Sequence, residues 1–130
     1  GLEIREKGMS GRVDLPLLRV YASEHVHSSI DKSVITLGLG TRSLRKIASN
    51  DRFEMRPGLL AEAIEEDIEA GHMPICVIPT IGTTSTTSVD PVDAVADISE
   101  KYGLWLHVDA AYAGAAAVLP EKRDLFAGWE

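Results

Sequence analysis

Hydrophobic and polar positions follow two periods along this chain, one near two residues and one near 3.6. Leu17 to Ala22 is a short β-leaning run. From about His27 to Leu37, the spacing of Ile30, Val34 and Leu37 predicts a helix with all three on one face. Gly38 and Gly40 supply its stop. Ser43 to Ala48 reads as a second strand. Pro57 then opens a helix in which Leu60, Ile64 and Ile68 fall at i, i+4 and i+8, with acids opposite and Gly71 at the end. Ile75 to Pro79 is a continuous apolar run of the kind buried on both faces of a parallel sheet. A third helix is predicted behind Asp90 as N-cap, with Pro91 at the first helical position and Val92, Val95, Ala96 and Ile98 turned inward. Leu104 to Val108 makes a fourth strand, and Glu121 to Ala127 starts another helix.

Strands alternating with helices predict an α/β fold, a mostly parallel sheet with right-handed crossover helices. No fixed-period repeat, low-complexity tract or linker interrupts the order, so residues 1–130 read as one unit without an internal boundary. In open sheets of this kind ligands bind at the carboxyl ends of the strands. Three polar clusters fall there: Ser23 to Ser29 after the first strand, Thr80 to Ser88 after the third, and Asp109 to Gly114 after the fourth.

Composition narrows the functions these clusters can serve. Thirteen Lys and Arg face twenty Asp and Glu, a net charge of −7, which argues against a nucleic-acid partner because that needs a basic face. Hydrophobic residues at 45% and charged residues at 25% suit a globular chain with a core. No run approaches the roughly 18 to 20 apolar residues that span a bilayer, so no membrane role is expected. The opening GLEIREKGMSGR lacks the apolar centre of a signal peptide. Cys76 is the only cysteine, which excludes an internal disulfide and a multi-cysteine zinc site and favours a cytoplasmic location. A start at Gly1 without Met, and an end at Trp129 and Glu130 without a polar tail, suggest a piece of a longer protein.

Asp109 carries the sharpest chemistry. It ends an apolar strand and is followed by AAYAGAAA, which offers no cationic partner, and a carboxylate so placed is costly unless something meets it. Either it caps the next segment through backbone N–H groups, or it is the counter-ion of a cationic ligand group. The small residues Ala110, Ala111, Ala113 and Gly114 would let a planar ring approach. The hydroxyls of Thr83 and Thr84 either brace the loop or line a ligand site, and the loop lacks the pattern of a triphosphate-binding loop. Glu24, His25 and His27 form only a single H-x-H, too little for a metal site, and none is assigned. His107 is expected to be packed and hydrogen-bonded, and Cys76 to be a small core residue. Glu62, Glu65, Glu66, Asp67 and Glu69 are expected to form the solvated face of their helix.

In chain order, SEHVHSSIDKS, IGTTSTTSVDP and LWLHVDAAYAG resemble the large domain of the group II pyridoxal-phosphate-dependent decarboxylases, above all the bacterial-type aromatic-L-amino-acid decarboxylases. The resemblance covers essentially the whole chain. It implies the aspartate-aminotransferase-like, fold type I architecture, of which residues 1–130 would be the central part of the large domain. It also implies pyridoxal 5′-phosphate as cofactor and an aromatic amino acid of the tryptophan, tyrosine or dopa class as substrate, released as amine and carbon dioxide. A homodimer is implied for the full-length protein. Residue by residue, Asp109 matches the family's partner of the pyridine nitrogen and His27 the imidazole stacked on the ring. These two are the implied catalytic residues. Thr84 matches a residue beside the cofactor and its acidic partner, and Ala111 a small residue packed on the ring. His25 has no such counterpart.

The departures concern what lies outside the chain. The family's cofactor-bearing lysine sits in an Asn-Pro-His-Lys segment downstream of HVDAAYAG, and none of Lys7, Lys32, Lys46, Lys101 or Lys122 lies in that motif. The phosphate-holding loop is expected upstream of HSS. The chain alone is therefore expected to be inactive. Two other readings stay open: a glutamate decarboxylase-like or other fold type I lyase, and a non-catalytic α/β binding module.

Overall fold

A computed structural model describes residues 2–128; Gly1, Trp129 and Glu130, the chain ends considered above, lie outside the described residues. In chain order come α1 (Ile4–Lys7), β1 (Leu18–Ser23), α2 (Ser29–Thr36), β2 (Leu44–Ile47), α3 (Pro57–Glu69), β3 (Met73–Ile78), α4 (Val92–Tyr102) and β4 (Trp105–Leu106). The strands form one sheet in the order β2-β1-β3-β4, and every neighbouring pair is parallel. The chain thus steps outward from β1 to β2 and then crosses back to β3. That reversal leaves a crevice between the carboxyl ends of β1 and β3, the switch point at which ligands bind in doubly wound sheets.

Alternation along the strands sends Tyr21 and Val77 to one face and Val20, Ala22 and Ile78 to the other. Leu60 and Ile64 of α3 and Val95 of α4 pack on the first face, Ile30 and Val34 of α2 on the second. The handedness of the crossovers demands this split: right-handed connections that leave in opposite directions pass over opposite faces. Leu60 and Ile64 are fully buried, each contributing roughly 2–3 kcal/mol.

The helices depart from the predicted pattern where its period drifts. On α3 the buried stripe runs Leu60, Ala63, Ile64 and Asp67, while Ile68 is 48% exposed. At about 100° per residue, position i+8 lies about 80° from Leu60 and i+7 only about 20° away. Leu37, assigned to the inner face, follows the end of α2 and is exposed, because Gly38 turns the chain away with φ +74°. The predicted fourth strand shrinks to two residues, and the segment assigned to a last helix is a 3₁₀ turn, Pro120–Phe126. His107, expected to be packed, is exposed among the described residues, where β4 has a strand on one side only. Cys76 is half-buried against the α2-side core, and burial pushes its thiol up to about 11.

Asp67 overturns the reading of the α3 acids as one solvated face. It is 2% exposed and accepts from four side chains: Arg19 Nε at 2.9 Å, Tyr21 Oη at 2.9 Å, Arg45 Nη1 at 3.2 Å and His72 Nδ1 at 2.9 Å. Burial pushes its carboxyl up, but the hydrogen bonds from His72, Tyr21 and Arg45 outweigh that and hold it below the ordinary range. The partners come from β1, β2 and the residue before β3, so one carboxylate ties α3 to the sheet.

Candidate active site

A cleft of about 280 Å³ opens at the switch point. Asp109, Ala111 and Tyr112 reach it from the loop after β4, Thr80, Gly82 and Thr84 from the loop after β3, and His27 and Ser29 from the start of α2. His27, Thr84, Asp109 and Ala111, the four residues singled out by sequence, therefore line one cleft. A larger hollow of about 620 Å³ lies at the opposite end of the sheet, between Leu17, Gly40 and His72. Of the two arginines that line it, Arg12 is paired with Asp14 at 2.6 Å, and none of the residues singled out by sequence lies there.

The sheet fixes Asp109 through its backbone. Beyond the end of β3 the register continues as a parallel bridge between Thr80 and Asp109. The Asp109 N–H donates to the Pro79 carbonyl at 2.9 Å, and the Asp109 carbonyl accepts from the Ile81 N–H at 2.9 Å. One carboxylate oxygen accepts from the Ala111 N–H at 3.2 Å, which is the capping arrangement. The other has no hydrogen-bond partner, and Asp109 enters no ion pair, among the described residues. The capping reading therefore holds for one oxygen, while the other keeps its acceptor capacity beside the cleft.

His27 lines the same cleft from an exposed position. Its Nδ1 accepts from the Ser29 N–H at 3.2 Å and lies 3.0 Å from Ser29 Oγ. An accepting Nδ1 leaves the proton of the neutral ring on Nε2. The adjacent His25 turns elsewhere: its Nε2 is 3.0 Å from Ser49 Oγ and its ring meets Phe53 edge-on at 5.2 Å. It belongs to the packing between β1 and the loop after β2.

In the loop after β3, Thr83 is buried and its hydroxyl lies 2.6 Å from Thr86 Oγ1 and 3.0 Å from Ser88 Oγ. This hydroxyl set braces the turn and leaves Thr84 exposed at the cleft. Gly82, at φ +80°, is required: a Cβ there would meet the Ala113 Cβ at 2.5 Å. The close approach brings the loops after β3 and β4 together.

Asp90 does not cap α4; Pro91 takes the N-cap position without a side-chain bond. The Asp90 carboxylate instead accepts from the Met55 N–H at 2.7 Å and the Thr80 N–H at 2.8 Å, and its own N–H donates to the Thr80 carbonyl at 2.9 Å. Burial raises its pKa above the ordinary carboxylate value against the pull of those two N–H donors. Thr80 is thereby clamped on both backbone sides, yet its Oγ1 is buried without a hydrogen-bond partner, alone in this among the described residues. A buried hydroxyl so left costs about 1–3 kcal/mol. Sequence reasoning missed Thr80, although its place one residue beyond the apolar run ICVIP marks a strand end.

The chain belongs to the pyridoxal-dependent decarboxylases: the family described as the pyridoxal-dependent decarboxylase conserved domain matches residues 3–130. Tyrosine decarboxylase 2 of Arabidopsis thaliana is 43% identical over 122 residues, covering 92% of this chain and 22% of that protein. The crystal structure of mouse CSAD superimposes with a TM-score of 0.91 at 36% identity, over 97% of this chain and 26% of that one. The crystal structure of Oryza sativa TDC with PLP gives a TM-score of 0.87 at 39% identity, over 98% and 27%. The chain thus carries the α/β fold of this family and spans about a quarter of the length of these relatives.

Proposed function

We propose that this chain is the central part of the cofactor-binding domain of a pyridoxal 5′-phosphate-dependent decarboxylase that converts aromatic L-amino acids, of the tyrosine, tryptophan or dopa class, to the amine and carbon dioxide. The observation that carries the reading is the Asp109 carboxylate, which no cation pairs among the described residues, lining one cleft with His27, Thr84 and Ala111. The family membership and the likeness to a tyrosine decarboxylase support it.

The residues present suit the cofactor. A ring with a protonated nitrogen needs an anionic partner at one edge and small or planar neighbours on its faces. Asp109 supplies the anion, His27 the planar neighbour and Ala111 a side chain too small to obstruct a ring. When bound, pyridoxal 5′-phosphate supplies an electron-withdrawing ring that accepts the electron pair released as carbon dioxide departs.

The chain's own residues set the conditions for that chemistry. A carboxylate facing the ring nitrogen favours the charged form, so Asp109 holds the proton there. The backbone bonds to Pro79 and Ile81 keep this carboxylate from drifting, which is orientation established before substrate arrives. His27 holds the plane of the ring and, with its proton on Nε2, can hold or pass a proton at that atom. Thr84 places a hydroxyl in the lining of the cleft that Asp109 also lines, and Ala111 would leave room for the ring face. We place the full-length enzyme in the cytoplasm, a reducing compartment that the free Cys76 of this chain suits, and as a homodimer in which a second subunit covers the exposed rim at His27 and Tyr112. No helix among the described residues is long and apolar enough to cross a membrane.

The test is to express the full-length protein, add pyridoxal 5′-phosphate and follow carbon dioxide and amine from L-tyrosine, L-tryptophan and L-dopa, with L-glutamate alongside. Amine from the aromatic substrates is expected. Turnover of glutamate alone would move the enzyme to the acidic-substrate branch, and failure to take up cofactor would leave a binding module.

A further inference from the structure

Thr80 and Asp109 are registered partners on adjacent parallel segments, and in a parallel pair registered residues direct their side chains to the same face of the sheet. Parity places that face on the α2 side, the side of Ile78 and of His27. Two groups without hydrogen-bond partners among the described residues therefore belong to registered neighbours on the same face, both lining the cleft. One is the hydroxyl of Thr80, a residue only 3% exposed; the other is the second carboxylate oxygen of Asp109. The first is a donor and the second an acceptor. Both backbones are held, Thr80 by Asp90 and Asp109 by Pro79 and Ile81, so side-chain rotation is the freedom left to the two groups.

We infer that Thr80 is a positioning residue of the cofactor site, whose hydroxyl donates to the Asp109 oxygen that Ala111 leaves free when that carboxylate holds the ring nitrogen. This rests on the reading of the cleft as a pyridoxal-phosphate site. A carboxylate oxygen has two lone pairs, so it accepts the ring N–H and the hydroxyl together. A donor to the carboxylate favours its ionised form, which keeps the shared proton on the ring nitrogen. Loading the site would thus satisfy a hydroxyl that folding alone leaves unsatisfied, and some of the stability sacrificed at Thr80 returns as cofactor affinity. Asp90, two bonds removed, would act only by holding the Thr80 backbone.

Two variants of the full-length protein separate this from simple packing. Thr80→Val keeps the shape and removes the hydroxyl; Thr80→Ser keeps the hydroxyl and removes a methyl group. Each is stripped of cofactor, its melting midpoint is measured, and pyridoxal 5′-phosphate is titrated back by absorbance. The Val variant is expected to melt at or above the wild-type midpoint, because it buries no partnerless hydroxyl, yet to bind the cofactor about tenfold more weakly. The Ser variant is expected to recover wild-type affinity. Equal affinity in the Val variant would overturn the inference. So would a lower midpoint of its cofactor-free form, which would mean the hydroxyl is already bonded, or a Ser variant as weak as Val, which would make the methyl group the contact. A wild-type protein that takes up no cofactor would instead overturn the functional reading itself.

Discussion

Asp67 and Asp109 are both aspartates tied into the same sheet, one toward the amino ends of the strands and one at the carboxyl ends, and they keep opposite company. Four donors from three different segments converge on Asp67, two of them guanidinium groups. Asp109 receives one backbone N–H and no cation among the described residues. A carboxylate whose lone pairs are filled from within the fold has nothing left to offer a ligand. One that keeps acceptor capacity beside a cleft is costly to folding and useful to chemistry. Saturation thus separates a structural acid from a site acid better than burial, because the buried Asp67 is the structural one.

The largest effect is expected from the saturated member. Asp67→Ala removes the shared acceptor of Arg19, Arg45, Tyr21 and His72, leaving Arg19 the Arg42 carbonyl and Arg45 the Ala63 carbonyl and Glu66. Breaking a buried pair in this way costs about 3–5 kcal/mol. In the full-length protein this reads as a clear drop in the melting midpoint, with cofactor affinity per folded molecule unchanged. A loss below about 1 kcal/mol would show that the network contributes little and would dissolve the contrast.

The mirror-image result is expected at the other end. Asp109→Ala removes a side chain whose only hydrogen bond among the described residues is to the Ala111 N–H, so stability without cofactor should move by about 1 kcal/mol or less. Cofactor affinity should fall about a hundredfold, since a ring cation loses its counter-ion and each 1.4 kcal/mol is tenfold in binding. Titration of the stripped protein with pyridoxal 5′-phosphate measures it. Near-wild-type affinity would count against Asp109 as the ring partner, and a large fall in the midpoint would make it a second structural acid.

The two ends also differ in how far sequence could reveal them. The order of strands and helices was legible because alternation, apolar runs and glycine stops are local signals, and the strand-end rule then pointed to three polar clusters, within which the family resemblance singled out His27, Thr84, Asp109 and Ala111. Asp67 was not legible. It sits among Glu65, Glu66 and Glu69, and its arginines arrive from positions 19 and 45, a meeting that no local spacing records. Asp90 looked like a cap because Asp-Pro before a helix is a capping pattern, whereas the bonds to Met55 and Thr80 come from tertiary contact. Among the described residues β4 has a strand on one side only, a matter of strand order, so the exposure of His107 could not be read from its apolar surroundings.

The smallest and sharpest effect is a pair of pH dependences with opposite signs, obtained by comparing Asp67 with Asp90, the buried acid behind the cleft. Hydrogen bonds from His72, Tyr21 and Arg45 leave the Asp67 carboxyl below its ordinary 3.8, despite burial. The stability it contributes is therefore fully present above pH 3.8 and is lost as the pH falls through the lower, folded value. Burial leaves Asp90 above 3.8. Its folded form keeps the proton longer than the unfolded chain does, so it weighs against folding at neutral pH and that burden is lifted as the pH falls toward 3.8. Wild type minus Asp67→Asn should accordingly be flat from neutral pH down to about 4 and shrink below it. Wild type minus Asp90→Asn should grow in favour of wild type on descending to about 4 and level off there. Melting midpoints of the cofactor-free protein across this range decide the matter. If both differences changed on the same side of 3.8, the two acids would share one electrostatic environment, and the distinction between a saturated acid and one held by backbone N–H groups alone would fall.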